Sequence, residues 1–253
     1  MKPKTKARLT TFFSQTDHGP GCYNKPDFLA IEEDDPLALE GYALHVLKVG
    51  PRENLSKEIF ILDTAEWLAH RLSTLGEDES RVLCRYASVT MINVLEEMGV
   101  WCFGVNGSLS VFAPPVPENP GSHLRIRDDK GKPGHTWVIA PPFLIVDVTA
   151  KFQGWTRGVK AALPPVVLER EPIQEPPLYD RWVAPHLQSN PMLQAAFQRH
   201  TRNLWTWLPC HRVEKAGVTI HYLPGGVTLS EAGEEPAFAG FKPSHILRDI
   251  RRL

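Results

Sequence analysis

The chain has 253 residues, of which 42% are apolar and 23% are charged, the balance of an ordinary globular protein able to bury a sizeable core. Its formal net charge of −1 supplies no basic field for nucleic acid or for an anionic membrane surface. No stretch approaches the roughly 20 apolar residues of a membrane span, and the N-terminus lacks the apolar run of a secretory signal. We therefore expect a cytoplasmic protein.

The first part of the chain shows little periodicity, and we interpret residues 1–55 as an irregular N-terminal segment. Within it, only GYALHVLKV at 41–49 suggests a strand. Two helices are then predicted, over 62–76 and over 78–99, because their apolar residues recur at spacings of three and four. Gly76 and Gly99 are suited to end them, and the second helix is apolar enough to be mostly buried.

The periodicity changes from 3.6 to 2 after Gly99, which predicts strands. Residues 100–105 and 108–113 are interpreted as two strands joined by a hairpin turn at Asn106-Gly107. A loop rich in Pro, Gly and charge covers 114–134, and we expect it to be exposed and mobile. Two more strands follow, at 135–140 and 143–149, with Pro141-Pro142 at the bend because proline cannot donate to a central ladder.

The last third of the chain is Pro-rich from 160 to 191 and is predicted to wrap the surface. It is followed by a helix at 190–208, with Asn190 as the cap, and a strand at 217–223. This order predicts an α+β fold in which a central helix packs on a mainly antiparallel sheet. We divide the chain into the N-terminal segment, a catalytic core at 56–160, and a part at 161–253 that completes the same domain.

Four cysteines are present, and none belongs to a C-x-x-C pair, so we expect free thiols and no metal site. One of them, Cys84, lies in the early turns of the helix predicted over 78–99. His135 begins one arm of the Pro-Pro hairpin, and Asp147 lies near the end of the other. In a regular hairpin with this bend, the histidine and the aspartate would lie nearly opposite each other.

Thiol catalysis uses this set of side chains. A helix N-terminus and a neighbouring imidazolium both lower the pKa of a cysteine, because they stabilise its thiolate. A carboxylate hydrogen-bonded to the far nitrogen of the ring fixes its tautomer and stabilises its charged form. The spacing in the sequence therefore makes Cys84, His135 and Asp147 a candidate catalytic triad.

The same residues resemble the transglutaminase-like branch of the papain-like cysteine enzymes. The resemblance is carried by Cys84 with RYASVTMINVLEEMGV after it, then by HTWV and IVDVT, and it covers about residues 80–150. It implies a papain-like, transglutaminase-like core, with Cys84 as nucleophile, His135 as general base and acid, and Asp147 as the orienting carboxylate.

The second oxyanion donor is not assigned by this pattern, since the glutamine used upstream by papain-type enzymes is absent. Trp137, Trp101 and Arg85 are candidates for that role or for the substrate cleft, beside the backbone N–H of Cys84.

We predict a cysteine-dependent acyl-transfer enzyme that forms a thioester from an amide or peptide bond. Its partner would be a peptide or protein substrate, and no cofactor is expected because no phosphate-binding glycine loop or metal-spacing motif is present. Hydrolysis is favoured over transfer to an amine. The alternatives are a non-catalytic peptide-binding domain on the same scaffold and an interaction protein that docks a partner through its Pro-rich and N-terminal segments.

Overall fold

The computed structural model describes residues 1–15, 18–75, 84–112, 123–125, 134–155, 157–179, 188–202 and 206–230. These residues form a mixed fold of helices and one antiparallel sheet, which confirms the predicted α+β class. The helices are α1 (Pro3–Phe13), α2 (Pro26–Asp34), α3 (Ala38–Glu53), α4 (Glu58–Ser73), α5 (Cys84–Glu97), α6 (Arg157–Ala162) and α7 (Pro191–Arg202). Within this part of the chain, every helix is too short or too polar to span a lipid bilayer.

The strands are β1 (Phe103–Phe112), β2 (His123–Arg125), β3 (His135–Ala140), β4 (Phe143–Asp147), β5 (Val167–Glu169), β6 (Ile173–Gln174), β7 (His211–Lys215) and β8 (Val218–Thr228). They lie in the order β5-β4-β3-β1-β8-β7-β6, and β2 pairs with β1. All of these pairs are antiparallel. The sheet is therefore built around β1, whose neighbours β3 and β8 come from distant parts of the chain.

The N-terminal segment is helical, so the prediction that residues 1–55 are irregular was wrong, and so was the strand suggested at 41–49. Prolines at the first turn start α1 and α2, where a missing N–H costs nothing. The 41–49 stretch lies inside α3, which buries Tyr42, Ala43 and Val46 at spacings of three and four. Turns separate the apolar faces of these helices. A long sequence window therefore spans more than one helix and does not show the period of 3.6 residues.

Asn106 and Gly107 do not form the predicted hairpin turn, because β1 runs through them as one strand of 10 residues. Asn106 pairs with Thr136 on β3 and Gly107 pairs with His135, while β8 pairs along the other side. A Cβ at Gly107 would lie 2.3 Å from the Leu223 carbonyl oxygen and 2.5 Å from the Trp137 ring. The glycine is thus required by the close approach of neighbouring groups and not by a turn.

Helix α5 is mostly buried, as its apolar stripe predicted, and it packs with α4 against the sheet. The helix ends at Gly99, which has a φ of 73°. The Gly99 N–H donates to the Glu96 carbonyl, and the Val100 N–H donates to the Leu95 carbonyl, each at 2.8 Å. This is the Schellman arrangement that a C-terminal glycine allows. Residues 78–83, with which the predicted helix begins, lie outside the described residues.

The hairpin of β3 and β4 bends at Pro141-Pro142 as predicted, but its register differs by two residues from the regular one. Val138 pairs with Val146, and the pairing shifts before Ala140 pairs with Phe143. Continued along the strands, this register places Trp137 opposite Asp147, with His135 on the diagonal. A slip of two residues leaves every side chain on the same face, so the histidine and the aspartate still share one face.

The C-terminal part contributes more to the sheet than the predicted surface wrap and single strand. Segments of the Pro-rich region form β5 and β6 at the two ends of the sheet order, and β8 lies beside the central strand. Helix α7 begins as predicted, since the Asn190 side chain accepts hydrogen bonds from the N–H groups of Met192 and Leu193. Of the loop predicted at 114–134, the structure describes only β2 and Gly134.

Candidate active site

Helix α5 lies along β3 and β1 so that its first turn comes level with His135. Ile92 packs where a Cβ on Gly104 would stand, and the Ser88 hydroxyl donates to the Thr136 carbonyl at 3.2 Å. Four helical residues rise about 6 Å, close to the length of two strand residues. One further turn towards the N-terminus therefore brings Cys84 to the level of Gly134, the residue next to His135.

The His135 ring joins two acidic partners. Its Nε2 atom lies 2.6 Å from Oδ2 of Asp147, and both side chains are buried. The Cys84 thiol interacts with the same ring closely enough to lower the pKa of the cysteine. Nδ1, the other ring nitrogen, is buried and makes no hydrogen bond of regular geometry among the described residues. Catalytic hydrogen bonds often reach regular geometry only when substrate binds.

Asp147 is held by five hydrogen-bond donors. Its Oδ1 accepts from the Thr149 N–H at 2.8 Å, the Thr149 hydroxyl at 3.1 Å and the Ala150 N–H at 2.9 Å. Its Oδ2 accepts from His135 and from the Tyr222 hydroxyl at 3.1 Å. Every partner donates, so the carboxylate is fixed in place and favoured in its ionised form.

The pKa values of the three side chains move towards an ion pair. Burial opposes ionisation of the Cys84 thiol, but the hydrogen bond and the charge of His135 outweigh burial and lower its pKa, assisted by the Arg85 N–H. Burial opposes the charged His135 ring too, yet the Asp147 carboxylate and the thiolate raise the ring's pKa. For Asp147, the charge of His135 and the hydrogen bonds overcome burial and lower the pKa. Both the lowered pKa of the thiol and the raised pKa of the ring favour a thiolate beside an imidazolium.

The other three cysteines have the opposite character. Burial raises the pKa of Cys22 and of Cys210 to about 12, and it raises the pKa of Cys102 well above its ordinary value. All three are buried free thiols, whereas Cys84 is partly exposed. Cys84 is thus the one thiol in the chain that combines access with a lowered pKa.

Trp137 lies on the same strand face as His135, as the spacing of two predicted. The two rings stack with their centroids 6.2 Å apart, and the Trp137 ring meets Tyr222 edge-on at 5.1 Å. Its indole N–H is buried and has no hydrogen-bond partner among the described residues. Trp137 therefore shields the His135–Asp147 pair from water, and it retains a donor that no other described group uses.

The other two cleft candidates lie in different places, Trp101 away from the three candidate residues and Arg85 next to Cys84. Trp101 packs against Tyr42 and His45 of α3, and its backbone is bonded to the Asn54 side chain. None of these described contacts reaches the triad, since Trp101 precedes β1 at the end remote from Gly107. Arg85 follows Cys84 directly, and its side chain is exposed and lines a cavity of about 380 Å³.

Sequence reasoning did not find Tyr222 or Thr149 as parts of the site. The contact with Thr149 carried a signal, because an aspartate in a turn commonly accepts a hydrogen bond from the backbone N–H two residues further on. Tyr222 carried none, since it lies 75 residues from Asp147 along the chain and alternates like any buried strand residue. Among the described residues, no group of three or more His, Cys, Asp or Glu is arranged to hold a metal ion.

Comparisons with known proteins provide no relative from which the roles of these residues can be inferred. No protein-family model, curated protein or solved structure matches the chain.

Proposed function

We propose that this protein is a cysteine-dependent acyl-transfer enzyme that hydrolyses an amide or peptide bond, built on a papain-like, transglutaminase-like core. The observation that carries the proposal is the chain of contacts from Cys84 through His135 to Asp147, with the pKa of the thiol lowered and that of the ring raised. The order Cys, His, Asp on a helix and two adjacent strands supports the proposed core. Four free thiols are consistent with a reducing, cytoplasmic setting.

In the first half of the reaction, the Cys84 thiolate attacks the carbonyl carbon of the amide. The electron pair of the C=O bond moves to oxygen, where the Cys84 backbone N–H is the nearest candidate donor. The attack gives a tetrahedral intermediate. When it collapses, the C–N bond breaks and the charged His135 ring gives its Nδ1 proton to the leaving amine. An acyl thioester on Cys84 remains.

In the second half, the neutral His135 ring removes a proton from water as the water oxygen attacks the thioester carbonyl. The C–S bond then breaks, which releases the carboxylic acid and restores the thiolate beside the imidazolium. Throughout, Asp147 keeps Nε2 protonated and stabilises each charged state of the ring without taking the proton itself.

Alkylation with iodoacetamide tests the charge state directly. At pH 6, we expect Cys84 to be labelled at least tenfold faster than Cys22, Cys102 and Cys210, because only its pKa is lowered. Peptide mapping by mass spectrometry identifies the labelled thiol. Slow labelling of all four cysteines at one rate would contradict the proposal.

Activity is then assayed with a library of fluorogenic peptide amides. Cys84→Ala should abolish amide cleavage, and the acyl adduct on Cys84 should be detectable in the wild type by intact mass. Cys210→Ala is the matched control, since it removes a buried thiol with a raised pKa and should leave the activity within about twofold. Cleavage that survives Cys84→Ala would rule out the thioester route.

A further inference from the structure

A row of three residues crosses the sheet beside the first turns of α5. Gly226 on β8 pairs with Asn106 on β1, which pairs with Thr136 on β3. The Thr136 hydroxyl donates to the Asn106 side chain at 3.0 Å, so the row presents its side chains on one face. At Gly226, by contrast, an added Cβ would meet no atom within 4 Å. The row therefore ends in open space next to the helix that carries Cys84.

Strand β8 changes its path at this point. Asn106 pairs with Gly226 and Gly107 pairs with Pro224, so Gly225 is an extra residue that bulges from the ladder. The bulge lies one strand away from His135, which pairs with Gly107. Bulges and strand glycines of this kind occur where another backbone approaches closely.

In the described part of the chain, the edge of β8 that faces away from β1 is paired along only part of its length. Strand β7 pairs with β8 from Val218 to Tyr222 only. On the side away from β1, no strand in the described part of the chain pairs with residues 223–228. This part of β8 is therefore an edge that an extended chain can join through main-chain hydrogen bonds.

The cavity that Arg85 lines lies beside this end of β8. It is lined by residues 227–230, which follow Gly226 directly, by Arg85 of α5, and by Tyr23, Asn24, Leu29, Glu32 and Leu39. The cavity measures about 380 Å³, the volume of a few amino-acid side chains. Arg85 follows Cys84 directly, so the cavity lies next to the first turn of α5, which carries the proposed nucleophile.

We propose that this groove binds the acyl side of the substrate as an extended peptide, which lies against residues 225–230 and reaches Cys84 past Gly226. The proposal rests on the proposed function, and it assigns a binding groove to the peptide substrate that the sequence predicts. Gly225 and Gly226 carry no side chains, so the peptide backbone can approach closely there, and Leu29 and Leu39 of the cavity can contact its apolar side chains.

Two electrophiles of different size test the groove: iodoacetamide and an N-acetylated tripeptidyl chloromethyl ketone with leucine side chains. In the wild type, the peptide reagent should alkylate Cys84 at least tenfold faster than iodoacetamide does. Gly226→Val should lower the peptide rate at least tenfold and leave the iodoacetamide rate within twofold. Gly226→Ala, which disturbs the strand less, should give a smaller loss in the same direction.

Glu214→Val is the control, because it adds the same side chain at an exposed position on β7 outside the groove. It should change neither rate. If iodoacetamide selects Cys84 but Gly226→Val slows both reagents equally or neither, the groove proposal is wrong while the proposed function stands. If iodoacetamide does not select Cys84 in the wild type, the proposed function itself fails.

Discussion

The Nε2 atom of His135 lies 2.6 Å from Oδ2 of Asp147, in a site where both side chains are buried. A buried ion pair of this kind is costly unless its remaining hydrogen-bonding capacity is satisfied. Here the carboxylate is satisfied by Thr149, Ala150 and Tyr222, so the pair can keep its charge in a dry environment. These hydrogen bonds to the Asp147 carboxylate determine how variants of the site should behave.

Asp147→Asn should destabilise both the fold and the ionised form of the Cys84 thiol. An amide has one acceptor oxygen and one donor nitrogen, and either orientation turns the nitrogen towards groups that already donate. We expect a loss of about 2–4 kcal/mol in the free energy of unfolding. Urea unfolding measures this loss, and the alkylation rate of Cys84 at pH 6 should fall at least tenfold. An unchanged alkylation rate would show that Asp147 does not sustain the charged ring.

Tyr222→Phe removes one donor to Asp147 and keeps the aromatic contact with Trp137. We expect a loss of about 1–2 kcal/mol in the free energy of unfolding. Since Asp147 has a lowered pKa, this hydrogen bond acts on the ionised carboxylate, so the loss should stay constant from about pH 5 to 8 and shrink only as Asp147 is protonated at lower pH. Urea unfolding across this pH range tests it. A difference that grows towards acid pH would contradict the assignment.

Glu96, on the same helix as Cys84, should make stability fall as the pH rises. Burial raises its pKa from 4.5 to about 8, although the Tyr23 and Tyr42 hydroxyls donate to it. A raised folded pKa means that the stabilising contribution is complete below the unfolded pKa and is lost as the pH rises through the folded one. Between about pH 5 and 8, the slope from this group should approach about 1 kcal/mol per pH unit.

Glu96→Gln is the matching variant, because glutamine copies the shape of the neutral acid and cannot ionise. Relative to the wild type, its free energy of unfolding should improve steadily from pH 5 to pH 8. Chemical denaturation at several pH values makes the comparison. Parallel pH profiles for the two proteins would show that Glu96 does not titrate in this range.

Substitution by alanine should destabilise the fold at Gly107 and have little effect at Gly226. Gly107→Ala places a Cβ against the Leu223 carbonyl and the Trp137 ring, so we expect a loss of about 2–3 kcal/mol and a disturbed Trp137 fluorescence. Gly226→Ala enters open space, and we expect a change within about 1 kcal/mol. Thermal unfolding of the two variants side by side tests this difference. Equal losses of stability in the two variants would show that Trp137 does not pack against Gly107.

The sequence by itself determined the elements whose burial follows a simple period. The stripe of α5, its stop at Gly99, and the hairpin of β3 and β4 with its two ionisable groups were all readable, because side-chain burial repeats every 3.6 residues in helices and every 2 in strands. The order of Cys84, His135 and Asp147 on those elements was enough to predict that they act together.

Tertiary structure alone decided what surrounds those three side chains. Tyr222 reaches Asp147 because β8 lies next to β1, and Asn106-Gly107 stays extended because strands flank it on both sides. Local patterns report whether a position is buried, whereas strand order and register decide which buried groups meet. For the same reason, the open space at Gly226 was invisible in the sequence: it exists only where the end of β8 passes the start of α5.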